Sequence, residues 1–324
     1  MALNEKYYIA AHAALEQRKN NNELLRLKRR QEVISRLPQY AELEARLSDT
    51  AAQFVGCVMN KSSENLEALK VENLRIQRDM SEMLARGGFP SDYLDKIYTC
   101  PICLDKGCKD GKWCGCFMKL VYAAASKDLN DQSPMKLSHF EDFKLSYYPN
   151  TIDPNLGESI QKIMTENFKT CVDYAERFSG HDNSIFMIGA TGLGKTHLSL
   201  AIANRIIERG FSVIYGSVPE LLRMLDNEQF NRASGDTMSL LTGCDLLILD
   251  DLGAENGTDR TVSQLYEIIN ARINRGLPMI VNTNFSMQQI KARYQDRIWS
   301  RLFSMEVLMF CGTDNRIKLA HLNK

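Results

Sequence analysis

The sequence predicts an α/β protein in which a parallel five-stranded sheet carries helices on both faces and follows a helical region with a small cysteine-rich module. Three observations support this prediction. Five short apolar runs alternate with amphipathic helical runs after residue 150, as in a parallel sheet covered by helices. A glycine-rich loop joins the first apolar run to the first of these helices, and five cysteines crowd between Cys100 and Cys116.

The sheet is expected from runs that are short, continuous and apolar, the pattern of strands buried on both faces. The predicted strands are Ser184–Gly189, Phe211–Gly216, Asp245–Asp250, Pro278–Thr283 and Met305–Phe310. The predicted helices between them lie near 195–209, 218–227, 261–275 and 286–302. We therefore assign residues 151–324 to the α/β domain and residues 121–150, with one short helix, to a linker.

The N-terminal residues 1–95 are predicted to form a helical domain. One helical face is indicated by apolar residues at steps of three and four, namely Tyr40, Leu43, Leu47, Ala51, Phe54, Val55 and Val58. A second helix is expected to end at Gly87-Gly88-Phe89-Pro90, a proper stop signal. Two interpretations stay open, a self-contained helical domain and a docking module that offers an apolar face to a partner.

The composition excludes several classes of protein. Among 324 residues, 40 basic and 40 acidic side chains cancel, so the whole-chain charge predicts no strong attraction to nucleic acid or membrane. No apolar run approaches the roughly 20 residues that a membrane span needs, and the N-terminus lacks the pattern of a secretory signal. We therefore expect a cytoplasmic protein, in which the scattered Cys57, Cys171, Cys244 and Cys311 are small buried hydrophobic residues.

A phosphate-binding loop is indicated by G-x-x-x-x-G-K-[ST] in the context of a strand and a helix. Its glycines let backbone N–H groups face phosphates, and the following helix adds the positive end of its dipole. Lys195 is expected to reach the β- and γ-phosphates and Thr196 to place its hydroxyl on Mg²⁺. The residues predicted to contact the nucleotide are Gly189, Ala190, Thr191, Gly192, Leu193, Gly194, Lys195, Thr196 and His197.

Two carboxylates end the apolar run that starts at Asp245. Asp250 is expected to hold Mg²⁺ through its water shell, and Asp251 to orient or deprotonate the attacking water. Many related ATPases carry Glu at the second position, so the shorter Asp251 predicts slow turnover.

Further residues are candidates for nucleotide sensing. Asn284, with Asn282 as the second choice, ends a strand expected beside the acidic one. Arg297 and Arg301 lie four residues apart on one helical face, where an arginine neutralises the transition state at a neighbouring subunit's nucleotide. Arg316, after the last strand, is a candidate contact to the nucleotide of its own chain.

The cysteine-rich segment, residues 96–120, predicts a structural zinc module. Cys100-x2-Cys103 and Cys114-x-Cys116 supply four thiolates for one Zn²⁺, and no histidine lies in the cluster. Cys108 is a fifth candidate that either replaces a ligand or stays free. Trp113 beside the cluster either stacks a base or, as we favour, packs in a small core.

These elements together resemble bacterial replicative-helicase loaders of the DnaC/DnaI type, which are AAA+ ATPases with an IstB-like ATP-binding domain. The resemblance covers most of the chain from about residue 60 onward. The segments that carry it besides the phosphate loop are Tyr98–Gly107, Gly111–Phe117, Phe140–Phe143, Tyr147-Tyr148, Leu249–Gly253, Asn282–Phe285 and Asp296–Leu302.

The resemblance implies an AAA+ core with strand order 5-1-4-3-2. It makes Asp250 and Asp251 the Walker B pair, Asn284 the sensor 1 residue, Arg297 or Arg301 the arginine finger and Arg316 the sensor 2 residue. ATP or ADP, Mg²⁺ and Zn²⁺ are the implied cofactors. About a dozen residues follow the last strand, so the usual helical lid is expected to be reduced or absent.

The implied partners are a hexameric replicative helicase, single-stranded DNA and further copies of this chain, with no membrane. Weak candidates for DNA contact are the basic stretch of Lys291, Arg293 and Arg297 and the segment 218–232. Two other functions compete with a loader. One is an ATPase helper of a transposase, and the other is a zinc-bearing adaptor with negligible turnover.

Overall fold

The computed structural model describes residues 3–59, 66–131, 133–154, 156–230 and 236–314. Arg316 therefore lies outside the described residues, as do residues 231–232 of the second DNA-contact candidate and the side chain of Cys57. The chain divides into two compact units, one of residues 1–11 and 115–324 and one of residues 12–114.

Ten α-helices and seven strands are assigned within the described residues. The helices are α1 Glu5–Arg36, α2 Gln39–Met59, α3 Leu66–Arg86, α4 Gly115–Asn130, α5 Ile160–Arg177, α6 Lys195–Glu208, α7 Val218–Phe230, α8 Thr237–Gly243, α9 Asp259–Arg275 and α10 Met287–Phe303. The strands are β1 Cys108–Lys109, β2 Lys112–Trp113, β3 Ile185–Ile188, β4 Val213–Ser217, β5 Leu246–Leu252, β6 Met279–Thr283 and β7 Glu306–Met309. None of the described helices combines the length and apolar character needed to cross a membrane.

The large sheet has five parallel strands in the order β4-β5-β6-β3-β7. Read from the β7 edge and counted within this sheet, the order is 5-1-4-3-2, so the predicted fold class and topology are confirmed. All four residues of β3 and all five of β6 are buried, which requires cover on both faces. Parallel strands covered in this way are apolar at every position, which is why the strands were readable in the sequence.

Three helices differ from the predictions. Helix α5, from Ile160 to Arg177, was not predicted, because its buried face includes Asn167, Cys171 and Ala175, which weaken the apolar signal. Helix α8 has only seven residues, too few for a periodic pattern. The short helix expected in the linker is the 16-residue α4, which begins at Gly115, inside the predicted zinc module.

Helix α4 protects the open edge of the sheet. Strand β4 is an edge strand, and unpaired N–H and C=O groups at an edge invite pairing with other chains. The Asn130 carboxamide donates to Val213 O at 2.7 Å and accepts from Tyr215 N at 3.2 Å. The last residue of α4 thus replaces part of a missing neighbouring strand.

The N-terminal unit has an apolar core of its own. One buried cluster consists of Val33, Tyr40, Leu84 and Phe89, with Leu37, Met80 and Met83 among the side chains packed around it. Helices α2 and α3 pack against each other, and α3 ends before Gly87, as the glycine pair predicted.

Candidate nucleotide site and cysteine cluster

The phosphate loop joins the end of β3 to the start of α6. Gly192 and Gly194 have φ angles of +75° and +89°, the left-handed region that favours glycine. A Cβ at Gly194 would lie 2.6 Å from a ring carbon of Phe143 and 3.0 Å from the hydroxyl of Tyr148. Both glycines are therefore required by the backbone path, and Gly194 also by the closeness of the aromatic residues.

Lys195 points its ammonium at the loop and at β6. Its Nζ donates to Gly189 O at 2.6 Å, to Ala190 O at 2.8 Å and to Asn284 Oδ1 at 2.8 Å. The residue is only 5% exposed, so its ammonium group is largely shielded from solvent by the loop. These contacts place a cation where the phosphates of a bound nucleotide would lie.

Asp250 is held by hydrogen bonds from two elements. The Thr196 hydroxyl donates to both of its carboxylate oxygens, at 3.1 and 2.9 Å, and Asn282 Nδ2 donates to Oδ1 at 2.7 Å. Burial raises the pKa of the Asp250 carboxyl, and the bonds from Asn282 and Thr196 partly oppose that rise. A hydroxyl and a carboxylate brought together are hard oxygen ligands of the kind Mg²⁺ prefers.

Asp251 has an unusual backbone for a residue with a side chain. Its φ is +53°, and the pairing of β5 with β6 shifts register between Leu249 and Leu252. Strain of this kind often marks functional positions. Asn284 Nδ2 donates to Asp251 Oδ1 at 2.7 Å, so one carboxamide connects Asp251 to Lys195.

The structure therefore separates the two asparagine candidates. Asn284 lines the cleft with Lys195 and Asp251, whereas Asn282 is 1% exposed and donates to Asp250 and Ser199. Asn284 is placed to contact a nucleotide, while Asn282 orients Asp250 from behind.

An aromatic wall of the cleft was missed as a site by the sequence analysis. Phe143 stacks on Tyr148 with ring centroids 5.6 Å apart, and the Tyr148 hydroxyl donates to Leu193 O at 2.9 Å. His197 Nε2 donates to His139 O at 3.0 Å, which holds this segment on α6. Phe143, Tyr147 and Tyr148 line the same cleft as Lys195, Asp251 and Asn284. The available signal was the density of aromatic residues just before the domain, which entered only through the resemblance.

The two candidate arginines share one aromatic ring. The guanidinium of Arg297 lies 5.4 Å and that of Arg301 4.7 Å from the ring centroid of Tyr266 on α9. Arg301 also donates from Nε and Nη2 to Asn270 Oδ1, at 3.1 and 2.8 Å, whereas Arg297 is exposed. Within the described residues, neither arginine lines the cleft of its own chain.

The candidate DNA contacts are only partly available. Lys291 is exposed, but Arg293 is ion-paired with the buried Glu255 at 3.3 Å and Arg297 lies on Tyr266. The other candidate segment, residues 218–232, is helix α7 as far as Phe230.

Four cysteines gather as the sequence predicted. The sulfurs of Cys100, Cys103, Cys114 and Cys116 all lie within 4.8 Å of one another, whereas Cys108 is exposed and outside this group. Tetrahedral Zn²⁺ with Zn–S bonds of about 2.3 Å sets sulfurs about 3.8 Å apart, and Cys100 Sγ lies 3.8 Å from Cys114 Sγ. An all-sulfur set of this size fits Zn²⁺ in a closed structural site.

Trp113 does not pack into a closed core beside this cluster. Its side chain is 50% exposed, and its ring meets His12 edge-on with centroids 5.7 Å apart. The expectation of a buried packing role for Trp113 is therefore met only in part.

The comparisons with known proteins agree with this geometry. Residues 157–303 match the family model described as IstB-like ATP binding protein, which indicates an ATP-binding domain similar to that family in this part of the chain. The predicted resemblance to helicase loaders is confirmed by two relatives. The replicative helicase loader DnaI of Bacillus subtilis is 27% identical over 130 residues, and the replicative helicase loader DnaC of Escherichia coli K12 is 27% identical over 131 residues.

These matches cover 39% and 40% of this chain. They span 42% of the length of DnaI and 54% of the length of DnaC, about half of each relative. A crystal structure of DnaI also matches, at 23% identity and a TM-score of 0.44, over 55% of this chain and 90% of that one.

Proposed function

We propose that this chain is an ATP-dependent loader that binds a hexameric replicative DNA helicase and delivers it onto single-stranded DNA. The observation that carries the proposal is the cleft in which Lys195, Thr196, Asp250, Asp251 and Asn284 meet, in a domain similar to those of two named helicase loaders. ATP binding and hydrolysis in this cleft would switch the loader between holding and releasing the helicase.

The residues of the cleft divide the work on the nucleotide. The N–H groups of the loop and the start of α6 bind the phosphates, and Lys195 neutralises the β- and γ-phosphates. Thr196 and Asp250 hold Mg²⁺, which supplies charge neutralisation at the transferring phosphate. Asp251 and Asn284 orient the attacking water, and the aromatic wall of Phe143 and Tyr147 contacts the base or ribose.

Hydrolysis by one copy alone is proposed to be slow. Arg297 and Arg301 do not line their own cleft, so they serve a neighbouring copy when ATPase domains assemble side by side. The cation–π contacts to Tyr266 preorganise both guanidinium groups and reduce the entropy lost on engagement. DNA or the helicase would stimulate hydrolysis by promoting this assembly.

Docking on the helicase is proposed for the N-terminal half, with zinc as a structural ion. The four-cysteine group is closed and lacks histidine or water-binding ligands, which fits a structural role rather than a catalytic one. The N-terminal unit also exposes large apolar side chains that a partner could cover, namely Phe54 at 41%, Val55 at 57% and Leu74 at 48% exposure.

The proposal is tested by size-exclusion chromatography with light scattering on this protein mixed with the replicative helicase of its host. We expect a complex of defined stoichiometry with ATP and Mg²⁺ that survives Asp251→Ala. The complex should be lost when residues 1–118 are deleted, in a truncated protein that still binds ATP, because the deletion also removes residues of the ATP-binding unit. The absence of a complex under every nucleotide condition would contradict the loader function.

A transposition helper is the second candidate, because the matching family model is named for IstB-like proteins. Parallel pull-downs with the helicase and with a transposase distinguish the two functions. An adaptor with negligible turnover is a further alternative, because Asp251 is shorter than the usual Glu. Single-turnover hydrolysis with excess protein distinguishes it, since an adaptor would leave the ATP intact.

A further inference from the structure

A buried carboxylate lies directly behind the acidic end of β5. Glu255 is 5% exposed and follows Asp251 by four residues. Its Oε2 accepts from the backbone N–H of Gly253 at 2.9 Å, so the carboxylate holds the turn that leaves the site. Gly253 has a φ of +108°, and a Cβ there would lie 3.0 Å from the ring of Phe285, the residue after Asn284.

The same carboxylate binds α10. Its Oε1 accepts hydrogen bonds from the Tyr294 hydroxyl and from Arg293 Nε, the latter at 3.3 Å. Tyr294 is 1% exposed, and the Arg293 guanidinium also donates to the backbone carbonyl of Glu255. Burial raises the pKa of the Tyr294 phenol, which keeps it protonated as a donor.

These contacts form one connected cluster of Gly253, Glu255, Phe285, Arg293 and Tyr294. The Arg293 guanidinium lies 5.8 Å from the centroid of the Phe285 ring, which closes the cluster on the side of Asn284. A buried carboxylate costs free energy unless donors satisfy it, and these donors come from two separate elements. The cluster therefore fixes α10 against both loops that carry the water-orienting residues.

Helix α10 also carries the candidate arginines. Arg297 and Arg301 follow Arg293 by four and eight residues, which is about 6 and 12 Å along the same rigid helix. A change in position of the loop after Asp251 would be transmitted through Glu255 to these arginines.

We propose that Glu255 is a positioning residue that couples the nucleotide site of one copy to the arginines that this copy presents to its neighbour. The proposal rests on the proposed function, since it assumes that Arg297 or Arg301 acts on a neighbouring nucleotide. Its consequence is that the nucleotide state of one subunit sets the hydrolysis rate of the next.

A mixing experiment with full-length chains separates the two sides of this coupling. The acceptor carries Arg297→Ala and Arg301→Ala, so it binds ATP but presents no arginine. The donor carries Asp251→Asn, so it presents arginines but does not hydrolyse ATP. Hydrolysis in an equimolar mixture, with single-stranded DNA, reports the donor's arginines acting on the acceptor's ATP.

Adding Glu255→Gln to the donor alone should reduce the restored hydrolysis at least about tenfold. The acceptor's KM for ATP and the light-scattering mass of the mixture should stay unchanged. The same substitution in the acceptor alone should cost less. Glu267→Gln in the donor, an exposed glutamate on α9, is the matched control and should restore hydrolysis fully.

Tyr294→Phe in the donor provides a second variant that removes one hydrogen bond to Glu255 and keeps the ring in place. This variant should also lower the restored rate of hydrolysis. It replaces Glu255→Gln in the experiment if Glu255→Gln does not fold. If donors with Glu255→Gln and donors with Tyr294→Phe both restore hydrolysis fully, the coupling through Glu255 is contradicted and the proposed function stands. If the donor that carries only Asp251→Asn restores no hydrolysis, the arginines do not act on a neighbouring copy, and the coupling is contradicted as well.

Discussion

The ATP-binding unit and the N-terminal unit are stabilised in different ways. In the first, a large apolar core surrounds a buried parallel sheet, and the polar groups of the cleft bind one another at 2.6 to 3.1 Å. In the second, the buried apolar residues include the cluster of Val33, Tyr40, Leu84 and Phe89 as well as Leu15 and Ile76, and several large apolar side chains of α2 and α3 are exposed.

This difference indicates how each unit meets its ligand. Lys195, Asp250, Asp251 and Asn284 are already held by neighbours, so a nucleotide would bind to preorganised groups. The N-terminal unit, in which several large apolar side chains are exposed, offers surface for added constraints such as a structural metal or a bound partner.

Loss of the metal should disrupt the cysteine segment most. Structural Zn²⁺ binding is worth about 10–16 kcal/mol in small zinc domains, so Cys100→Ser should abolish zinc content and the ordered structure of the cysteine segment. Zinc release to a colorimetric chelator and hydrogen exchange over residues 96–116 measure both effects, and ATP affinity should change less than about twofold. Cys108→Ser is the matched control, because Cys108 is exposed and outside the sulfur group. Equal zinc loss in that variant would contradict the assigned ligand set.

Removal of the arginines should affect assembly-dependent hydrolysis without affecting nucleotide binding. An arginine supplied in trans is worth roughly 10³–10⁵ in rate in other phosphoryl-transfer enzymes. Arg301→Ala should therefore remove most stimulation by DNA or helicase, while equilibrium binding of ATP stays near wild type. Lys169→Ala, which removes an exposed lysine of α5 that is no candidate for DNA contact, should keep the stimulation. Unchanged stimulation in Arg301→Ala would shift the role to Arg297. If Arg297→Ala also kept the stimulation, neither arginine would have this role.

Lys195→Ala should weaken nucleotide binding and leave the N-terminal unit intact. Hydrogen bonds to charged groups are worth about 1.5–3 kcal/mol, which predicts a loss of roughly 10- to 150-fold or more in ATP affinity by calorimetry. Zinc content should be unchanged. Lys169→Ala, an exposed lysine on α5, is the control for loss of charge alone. Normal ATP affinity in Lys195→Ala would contradict the site.

The pH dependence of Mg²⁺ binding should show the smallest effect. Burial raises the pKa of Asp250, so its carboxylate is protonated at a higher pH than an exposed carboxylate would be. Mg²⁺-dependent ATP binding should therefore weaken as the pH falls toward this raised pKa, and the decrease should be smaller in Asp250→Asn, in which only the titration of ATP itself remains. A pH profile of wild type that matches that of Asp250→Asn would contradict the role of Asp250.

The raised pKa of Asp250 also predicts how stability changes with pH, and this change has the opposite sign to that of Mg²⁺-dependent ATP binding. Because the folded state favours protonated Asp250, its contribution to stability is present at low pH and is lost as the pH rises through the raised pKa. The melting temperature of Asp250→Asn minus that of wild type should therefore be more positive at pH 7 than at pH 4. Each kcal/mol corresponds to about 2–4 °C in a domain of this size. A larger relative gain for Asp250→Asn at pH 4 would contradict this sign.

The predictions from sequence succeeded where the signal is local. The five strands were readable because each is apolar at nearly every position, and the phosphate loop because its glycines and Lys195 are consecutive. The prediction missed α5 because Asn167, Cys171 and Ala175 lie on its buried face, and α8 because seven residues hold no period.

The fold class, the phosphate loop, the acidic pair and the cysteine cluster could be predicted from the sequence, since each depends on residue types a few positions apart. Three features become visible only in the folded chain: Asn282 lies behind the cleft that Asn284 lines, Cys108 lies outside the sulfur group, and Glu255 connects the acidic loop to α10. Lys195 and Asn284 are 89 residues apart and lie 2.8 Å from each other. The physical reason is that such pairs form through the register of neighbouring strands and the packing of helices on them, which no local pattern encodes.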